Sequence, residues 1–453
     1  MQNLSVGVFV GSILFLIAYW ITSTKLNINN WLLFIFGIFL YSWGNIFRGT
    51  VLIFLVVLNY LLINKFFDNQ RSKNVGLAIG IFVNVAMWLI LRYLKNDVST
   101  SGVDGVLVGT SFYILRTISY LISAYHDVSF TQNSFLEYGL YVSFFPQILS
   151  GPIEKPAKFI TQLKKPRNSK HVEYYGSTTL ILFGLVKKIV IADNLRILVD
   201  RIFQLSFPHA LLVYAGSIAF YMQLFCDLSG YTDISCGIAG LLGFRTQKNF
   251  DNPFFSISPQ DFWNRWHISF TQWLTTTIFF PIRRFFLSKN HIMPWIAVVI
   301  PVMLTMIISG FWHGVGPQYI LWGGFHGILL LTFYFLQIDK KLQNGSRVMQ
   351  IGSWFVTFQC VLFGWVLFKT SDMQWLRNVI TSLSYPIHSE ELIVTLSIAS
   401  QIFMFSLPLL LHFLINRNQR IAKMGGPLFY AAVAVILIIF SSSGFQEFIY
   451  FGF

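Results

Sequence analysis

The chain has 453 residues, of which 55% are hydrophobic and only 11% are charged. A soluble globular chain carries about 25% charged residues, so the shortfall excludes a soluble enzyme, a disordered protein and a coiled coil. Lys and Arg outnumber Asp and Glu by 32 to 18, a net charge of +14; in so apolar a chain this reads as loop charge that orients membrane spans, not as a nucleic-acid surface.

Apolar runs able to span a bilayer occur near 5–22, 31–45, 48–64, 76–94, 105–124, 175–193, 208–226, 294–312, 318–337, 351–369, 392–414 and 427–445. No basic residue precedes the first run and no small-residue cleavage site follows it, so 5–22 is expected to stay as the first span and not to be removed as a signal peptide. The second and third runs are split only by Trp43-Gly44-Asn45, which predicts a tight helical hairpin.

Cationic residues collect in five places: Lys65, Arg71 and Lys73; Lys155, Lys158, Lys164, Lys165, Arg167 and Lys170; Arg245, Lys248, Arg265, Arg283, Arg284 and Lys289; Lys340, Lys341 and Arg347; and Arg417, Arg420 and Lys423. If all five are cytoplasmic, the twelve spans alternate and both termini fall outside. That topology requires 137–151 and 228–244 to enter and leave on the cytoplasmic side. Both contain breakers: Pro146, Gly151 and Pro152 in one, Gly230, Gly237, Gly240 and Gly243 in the other. Two re-entrant segments are therefore expected, since broken backbone at membrane depth survives only when buried in protein or lining a cavity. No inverted repeat and no linker is visible. The expected fold is all-α, one polytopic membrane domain over 1–453 with about 11–12 transmembrane helices plus the re-entrant segments.

The polar residues concentrate in the centre. Asp227-Leu228-Ser229-Gly230-Tyr231-Thr232-Asp233 reads first as turn and cap chemistry of a broken segment; substrate contact by Asp227, Ser229, Tyr231 or Asp233 is the sharper alternative. The spacing of the two aspartates fits no metal template, and the expected metal set is none. Asn249-Phe250-Asp251-Asn252-Pro253 follows. Ser258 then reads as an N-cap, with Pro259 at the first helical position and Asp261 reaching back. The helix it starts places Trp263, Trp266, His267, Phe270, Trp273 and Leu274 on one face, with Asn264, Arg265, Ser269 and Gln272 opposite. An interfacial aromatic belt with His267 hydrogen-bonded into it accounts for that pattern, and so does a site.

Ser309-Gly310-Phe311-Trp312-His313-Gly314-Val315-Gly316-Pro317 ends one span and turns into the next. An ionisable residue at membrane depth is a functional candidate by default. Gly310 and Gly314 let another group approach beside His313, and a neutral imidazole in a dry pocket is suited to accept a proton near neutral pH. His326, deeper in the following span, reads equally as a site residue or an interhelical hydrogen-bond partner. Cys226, Cys236 and Cys360 make no C-x-x-C pair, so neither a disulfide framework nor a zinc site is expected. No phosphate loop, nucleophile elbow or H-E-x-x-H helix is present in the sequence.

Taken in order, these stretches resemble the membrane-bound O-acyltransferase family, in the bacterial branch that holds alginate and peptidoglycan O-acetyltransferases and the D-alanyl transfer protein of teichoic acid synthesis. The matching residues are Phe144-Phe145-Pro146-Gln147 with Ser150-Gly151-Pro152-Ile153-Glu154, then Asp227 to Asp233, Leu242-Gly243-Phe244-Arg245, Asn249 to Pro253, Phe262 to Ser269 and Gly310 to Gly314. Phe448-Ile449-Tyr450-Phe451-Gly452-Phe453 also looks familiar. The ordered set spans about 140–330.

The resemblance implies helices around a central tunnel and no bound cofactor. A cytoplasmic thioester, acetyl-CoA or an acyl carrier protein thioester, would present its acyl group there. It implies His313 as the central catalytic residue, with His267 lining the same tunnel from the cytoplasmic side. Asn249, Asn252, Trp263, Arg265, Trp266, Trp312 and His326 join Asp227, Ser229, Tyr231 and Asp233 as lower-ranked substrate or tunnel residues. It further implies the bacterial cytoplasmic membrane, lipid as a partner, no nucleic acid, and an extracytoplasmic partner acyltransferase of the esterase-like (SGNH) fold. The Ser-Gly-Pro-Ile-Glu run and the aromatic tail look more like the acetyl side than the D-alanyl side. Leu274-Thr275-Thr276-Thr277-Ile278 stands where many relatives carry an Arg-Asp pair, a departure that touches a donor or partner contact and not the fold. The competing class is a transporter or flippase of envelope glycan precursors with the histidines as proton relays. It would favour inverted repeats and acidic pairs within spans, and neither is visible in the sequence.

Overall fold

The structure is a computed structural model that describes residues 2–67, 69, 72–96, 108–289, 293–343, 345–370, 372–417 and 426–440. The aromatic tail 448–453, Arg71, Arg420 and Lys423 lie outside the described residues. Among the described residues the elements are all helical. Among the described residues six helices are long and apolar enough to cross a membrane: Ile46–Phe66, Lys73–Tyr93, Ala210–Leu241, Ile296–His313, Arg347–Lys369 and Ser389–Leu410. Two shorter apolar helices, Gly7–Ile21 and Leu26–Ser42, accompany them. The protein is therefore a multi-pass membrane protein. Its chain divides into two compact units, Met1–Ile181 with Thr232–Gln247, and Leu182–Tyr231 with Lys248–Glu447.

The first unit opens with α1 (Gln2–Ile21), α2 (Leu26–Ser42), α3 (Ile46–Phe66) and α4 (Lys73–Asn96). The turn between α2 and α3 is the expected tight one. Gly44 takes a left-handed φ of 79°, and Asn45 caps α3 by accepting from the Phe47 amide. Asn59 and Asn84 join α3 to α4 through reciprocal amide bonds of 3.3 and 2.7 Å, fully buried. Such an interhelical pair contributes about 0.6–2 kcal/mol in a membrane. Then come α5 (Thr110–His126), α6 (Phe135–Ser143), α7 (Pro156–Leu163) and α8 (Tyr174–Leu185), whose last turn counts with the second unit.

Between α6 and α7 the chain from Phe144 to Lys155 is irregular and mostly buried, as the breakers Pro146, Gly151 and Pro152 require. Polar side chains hold it. Arg116 donates to Gln147 Oε1 at 3.1 Å and lies over the rings of Tyr141 and Phe159. Glu154 accepts from the Gln247 amide at 2.7 Å, and Tyr141 donates to the Glu154 carbonyl.

The second unit contains a π-helical turn, Val186–Ala192, followed by α9 (Asp193–Phe203) and by α10 (Ala210–Leu241), whose last turns count with the first unit. After α10 come α11 (Pro259–Arg265), α12 (Ile268–Leu274), α13 (Phe280–Leu287), α14 (Ile296–His313), α15 (Pro317–Phe335), α16 (Ile338–Gln343), α17 (Arg347–Lys369), α18 (Met373–Ser382) and α19 (Ser389–Arg417), and a last helix covers Gly426–Phe440. A π-helical turn, Thr275–Phe279, joins α12 to α13. Pro281 explains it, because proline has no amide to return to the carbonyl four residues back.

α10 corrects an expectation. The segment 228–244 is not a broken re-entrant element: α10 runs unbroken for 32 residues, and the interval expected to be a span plus a re-entrant segment is one helix. At 1.5 Å per residue it is about 48 Å long, well beyond the roughly 30 Å hydrocarbon thickness. Its apolar window is 72% buried, against 11% for α19. Gly230, Gly237 and Gly240 are packing positions and not breaks, while Gly243, at a left-handed φ of 81°, does act as a breaker just past the end of the helix. A Cβ at Gly230 would stand 2.9 Å from the Gly184 carbonyl, and one at Gly237 2.6 Å from the Ser177 carbonyl. Asp227 and Asp233 are accordingly helix-interior residues and not turn or cap residues.

Candidate active site

Ser258 caps α11 as the sequence suggests. Its Oγ accepts from the Asp261 amide at 3.2 Å, Pro259 follows at the first helical position, and Asp261 Oδ2 accepts from the Ile257 amide at 3.1 Å. The expected continuous helix is corrected. It stops at Arg265, Trp266 is extended, and His267 takes the left-handed conformation, φ 43° and ψ 53°, before α12 starts. A non-glycine residue held there costs about 1–2 kcal/mol.

A neighbouring strand-like segment holds the break. The Asp251 amide donates to the Arg265 carbonyl at 2.9 Å, and the Ile268 amide donates to the Asn249 carbonyl at 2.8 Å. Asn249 Oδ1 accepts from both the amide and the hydroxyl of Ser269, each at 2.9 Å. Arg265 donates to Asp261 at 2.7 Å and to the Asp251 carbonyl at 3.4 Å. Asn249 and Arg265, expected near substrate, thus bond to backbone and to scaffold. Asn252 is an exposed left-handed turn residue before Pro253.

The break aims the His267 ring into an aromatic cluster. His267 is 3% exposed, 5.2 Å from Phe270 and 6.0 Å from Phe250 between ring centroids. Burial pushes its imidazole down from 6.5 to about 3, so it is neutral at physiological pH. Phe270 then touches Trp312 at 4.4 Å and His313 at 6.2 Å. One ring therefore lies against both histidines that the sequence singles out.

His313 is the last residue of α14, and Gly314 ends the helix. Its ring is 4.7 Å from Trp312, 5.3 Å from Trp322 and 5.1 Å from Phe368, and it is 6% exposed. The group that uses the space at Gly310 and Gly314 is Tyr319: a Cβ at either position would collide with it. This close fit packs α14 on α15 and fixes the turn that carries His313. His326 completes the cluster. It is 1% exposed, 5.0 Å from Trp322 and 5.2 Å from Trp263, and stacked on Phe262. Neither of its ring nitrogens has a protein hydrogen-bond partner among the described residues, so an interhelical hydrogen bond does not explain it. Gly364 faces its Nε2, where a Cβ would approach to 2.6 Å. Trp263 and Trp312 belong to the same cluster; Trp266 packs on Phe262 and Trp365 beside it.

Asp227 belongs to a different assembly. Lys188 Nζ is 2.7 Å from Asp227 and 2.9 Å from Asp193, with side chains only 1–5% exposed. Lys187 beside it lies over Phe183 and Phe225. Ser229 and Tyr231 are buried along α10, and Asp233 is half-buried one turn on. The sequence reading missed Lys187, Lys188, Asp193 and, in the first unit, Arg116. A signal existed: three of the four are cations inside apolar runs, at 175–193 and 105–124, where an ionisable residue needs a reason.

Comparison with known proteins gives a consistent result. The sequence model of the membrane-bound O-acyltransferase family (MBOAT) matches residues 38–371. The chain is 29% identical over 370 residues to the probable alginate O-acetylase AlgI of Pseudomonas aeruginosa, covering 76% of this chain and 68% of that protein. It is 28% identical over 395 residues to the peptidoglycan O-acetyltransferase of Helicobacter pylori, covering 77% and 72%. It is 30% identical over 246 residues to the teichoic acid D-alanyltransferase of Bacillus subtilis, covering 51% and 60%.

Proposed function

The chain belongs to the membrane-bound O-acyltransferase family and is an acyltransferase, and from that premise we propose that it moves an acetyl group from cytoplasmic acetyl-CoA toward an extracytoplasmic polysaccharide or a partner acyltransferase of the SGNH type, in the bacterial cytoplasmic membrane. The observation that carries the reading is the convergence of His267 and His313 on the ring of Phe270 within one buried aromatic cluster. The acetyl assignment draws on the AlgI and peptidoglycan O-acetyltransferase relatives, which align over more of this chain than the D-alanyltransferase of Bacillus subtilis does.

His313 acts as general base. It takes the proton of an acceptor hydroxyl as that oxygen attacks the thioester carbonyl, and the carbon–sulfur bond then breaks. The departing thiolate recovers the proton from the imidazolium, so CoA leaves as the thiol and the acetyl group leaves as an oxygen ester. His267, neutral because it is buried, offers a hydrogen-bonding group on the donor side and adds no competing charge. Trp263, Trp312, Trp322 and Phe270 keep water from a thioester that would otherwise hydrolyse. Purified protein incubated with labelled acetyl-CoA, with mass spectrometry of thiol and acceptor, tests this. CoA thiol and a labelled oxygen ester are expected. Label that stays on CoA while a D-alanyl carrier thioester is consumed would replace acetyl by D-alanyl. Glycan movement with no covalent change would overturn the enzyme reading.

A further inference from the structure

Asn249 hydrogen-bonds to the residues just after the histidine break, and its bonding defines a task. A helix start leaves its first amides without intrahelical partners, and the usual remedy is a Ser, Thr, Asp or Asn at the N-cap whose own side chain folds back. At α12 the N-cap position is His267, whose side chain makes no capping bond. The amides are satisfied from elsewhere. Ile268 N–H goes to the Asn249 backbone carbonyl, and Ser269 N–H goes to Asn249 Oδ1, which also takes the Ser269 hydroxyl. Asn249 is 1% exposed and Ser269 2%, so these bonds are made away from water.

We propose that Asn249 is a positioning residue that caps α12 in trans, holds His267 in its left-handed conformation, and so leaves the imidazole pointed at Phe250 and Phe270. An ordinary cap would commit the side chain at position 267 to the first amides of α12. Supplying the cap from position 249 satisfies the first amides of α12 without the ring of His267. This assignment rests on the proposed role of His267 for its effect on transfer, but its geometric part is independent of that role.

Two measurements separate them. The first is carbethoxylation of His267 by diethyl pyrocarbonate, followed by mass spectrometry on detergent-solubilised full-length protein. Parent protein and Asn249→Asp, which keeps an oxygen acceptor, are expected to react slowly. Asn249→Ala is expected to react roughly tenfold faster, while Ser288, an exposed helix-end residue, changed to Ala leaves the rate at the parent value. Equal rates in parent and Asn249→Ala would overturn the proposal whatever the activity is.

The second is acetyl transfer from acetyl-CoA in proteoliposomes. Asn249→Ala is expected to lose at least about tenfold in kcat with KM little changed, as misplacement of a reacting group does. Asn249→Asp is expected to restore most of it. In a His267→Ala background the Asn249→Ala change should add little, because the two act as one unit. Full, additive losses would overturn the assignment. A fully active His267→Ala would instead remove His267 from the mechanism and leave the carbethoxylation result standing.

Discussion

Two buried polar clusters lie in the second unit, and they solve burial in opposite ways. Around Lys188 the groups are charged and satisfy one another, with Asp193 and Asp227 both on the same ammonium. Around His313 the groups are imidazoles held between aromatic rings, and His326 has no protein partner for either nitrogen among the described residues. The two are separated by little: Lys187 lies over Phe225, Phe225 touches Phe250 at 5.8 Å, and Phe250 touches His267 at 6.0 Å. A cluster that closes on itself is built to hold helices. On the proposed function, a cluster that keeps hydrogen-bonding capacity inside an aromatic wall is where substrate would arrive. Desolvating a polar group with no partner costs about 1–3 kcal/mol, so such groups persist where chemistry needs them.

The comparison can be broken most sharply at His313. Replacing His313 by Ala is expected to lower transfer by about 10²–10⁴-fold, the usual contribution of a general base, with melting temperature close to that of the parent. At Lys188 the expectation reverses. Lys188→Met leaves two carboxylates buried without their cation, and a loss of about 3–5 kcal/mol is expected in denaturant titration. Changing Lys188 to Met with Asp193 and Asp227 both to Asn removes the cluster and should return much of that stability. Gly364→Ala is expected to cost about 1–3 kcal/mol, because its Cβ would press on His326 Nε2. An unchanged melting temperature would show that His326 has room to shift.

The smallest effect is the pH dependence of His267, read against His267→Asn, which tolerates the left-handed backbone and does not titrate. The folded value of about 3 lies below the ordinary 6.5, so between them the unfolded chain binds the extra proton. The stabilising contribution is complete above 6.5 and is lost as pH falls toward 3. By about pH 5.5 the parent should have lost about 1.4 kcal/mol that the variant keeps. Parallel stability curves for the two proteins would mean that His267 is solvated.

Most spans were legible because a bilayer demands long apolar runs, and α1 to α4, α14, α15 and α17 fall on the expected intervals. The misreading of 228–244 has a definite cause. Glycine marks a break and a close helix contact with the same letter, and only the Gly184 and Ser177 carbonyls beside Gly230 and Gly237 tell the two apart. The catalytic candidates were legible as histidines at apolar depth. The break at His267 was not, because no Gly or Pro stands at 266–267 and the aromatic periodicity runs straight through it. What makes the break is a tertiary contact with Asn249. Lys188 does not stand out in the sequence because cations in such a chain read as loop charge, and its partners Asp193 and Asp227 lie five and 39 residues further along the chain.

The central claim is that the histidine cluster does chemistry and the ion cluster does not. It is tested most directly in proteoliposomes given labelled acetyl-CoA, with His313→Ala compared with the triple variant at Lys188, Asp193 and Asp227, both matched for insertion and melting temperature. The expected result is label transfer by the triple variant at a rate near the parent's and none above background by His313→Ala. Parent-like transfer by His313→Ala would contradict the claim.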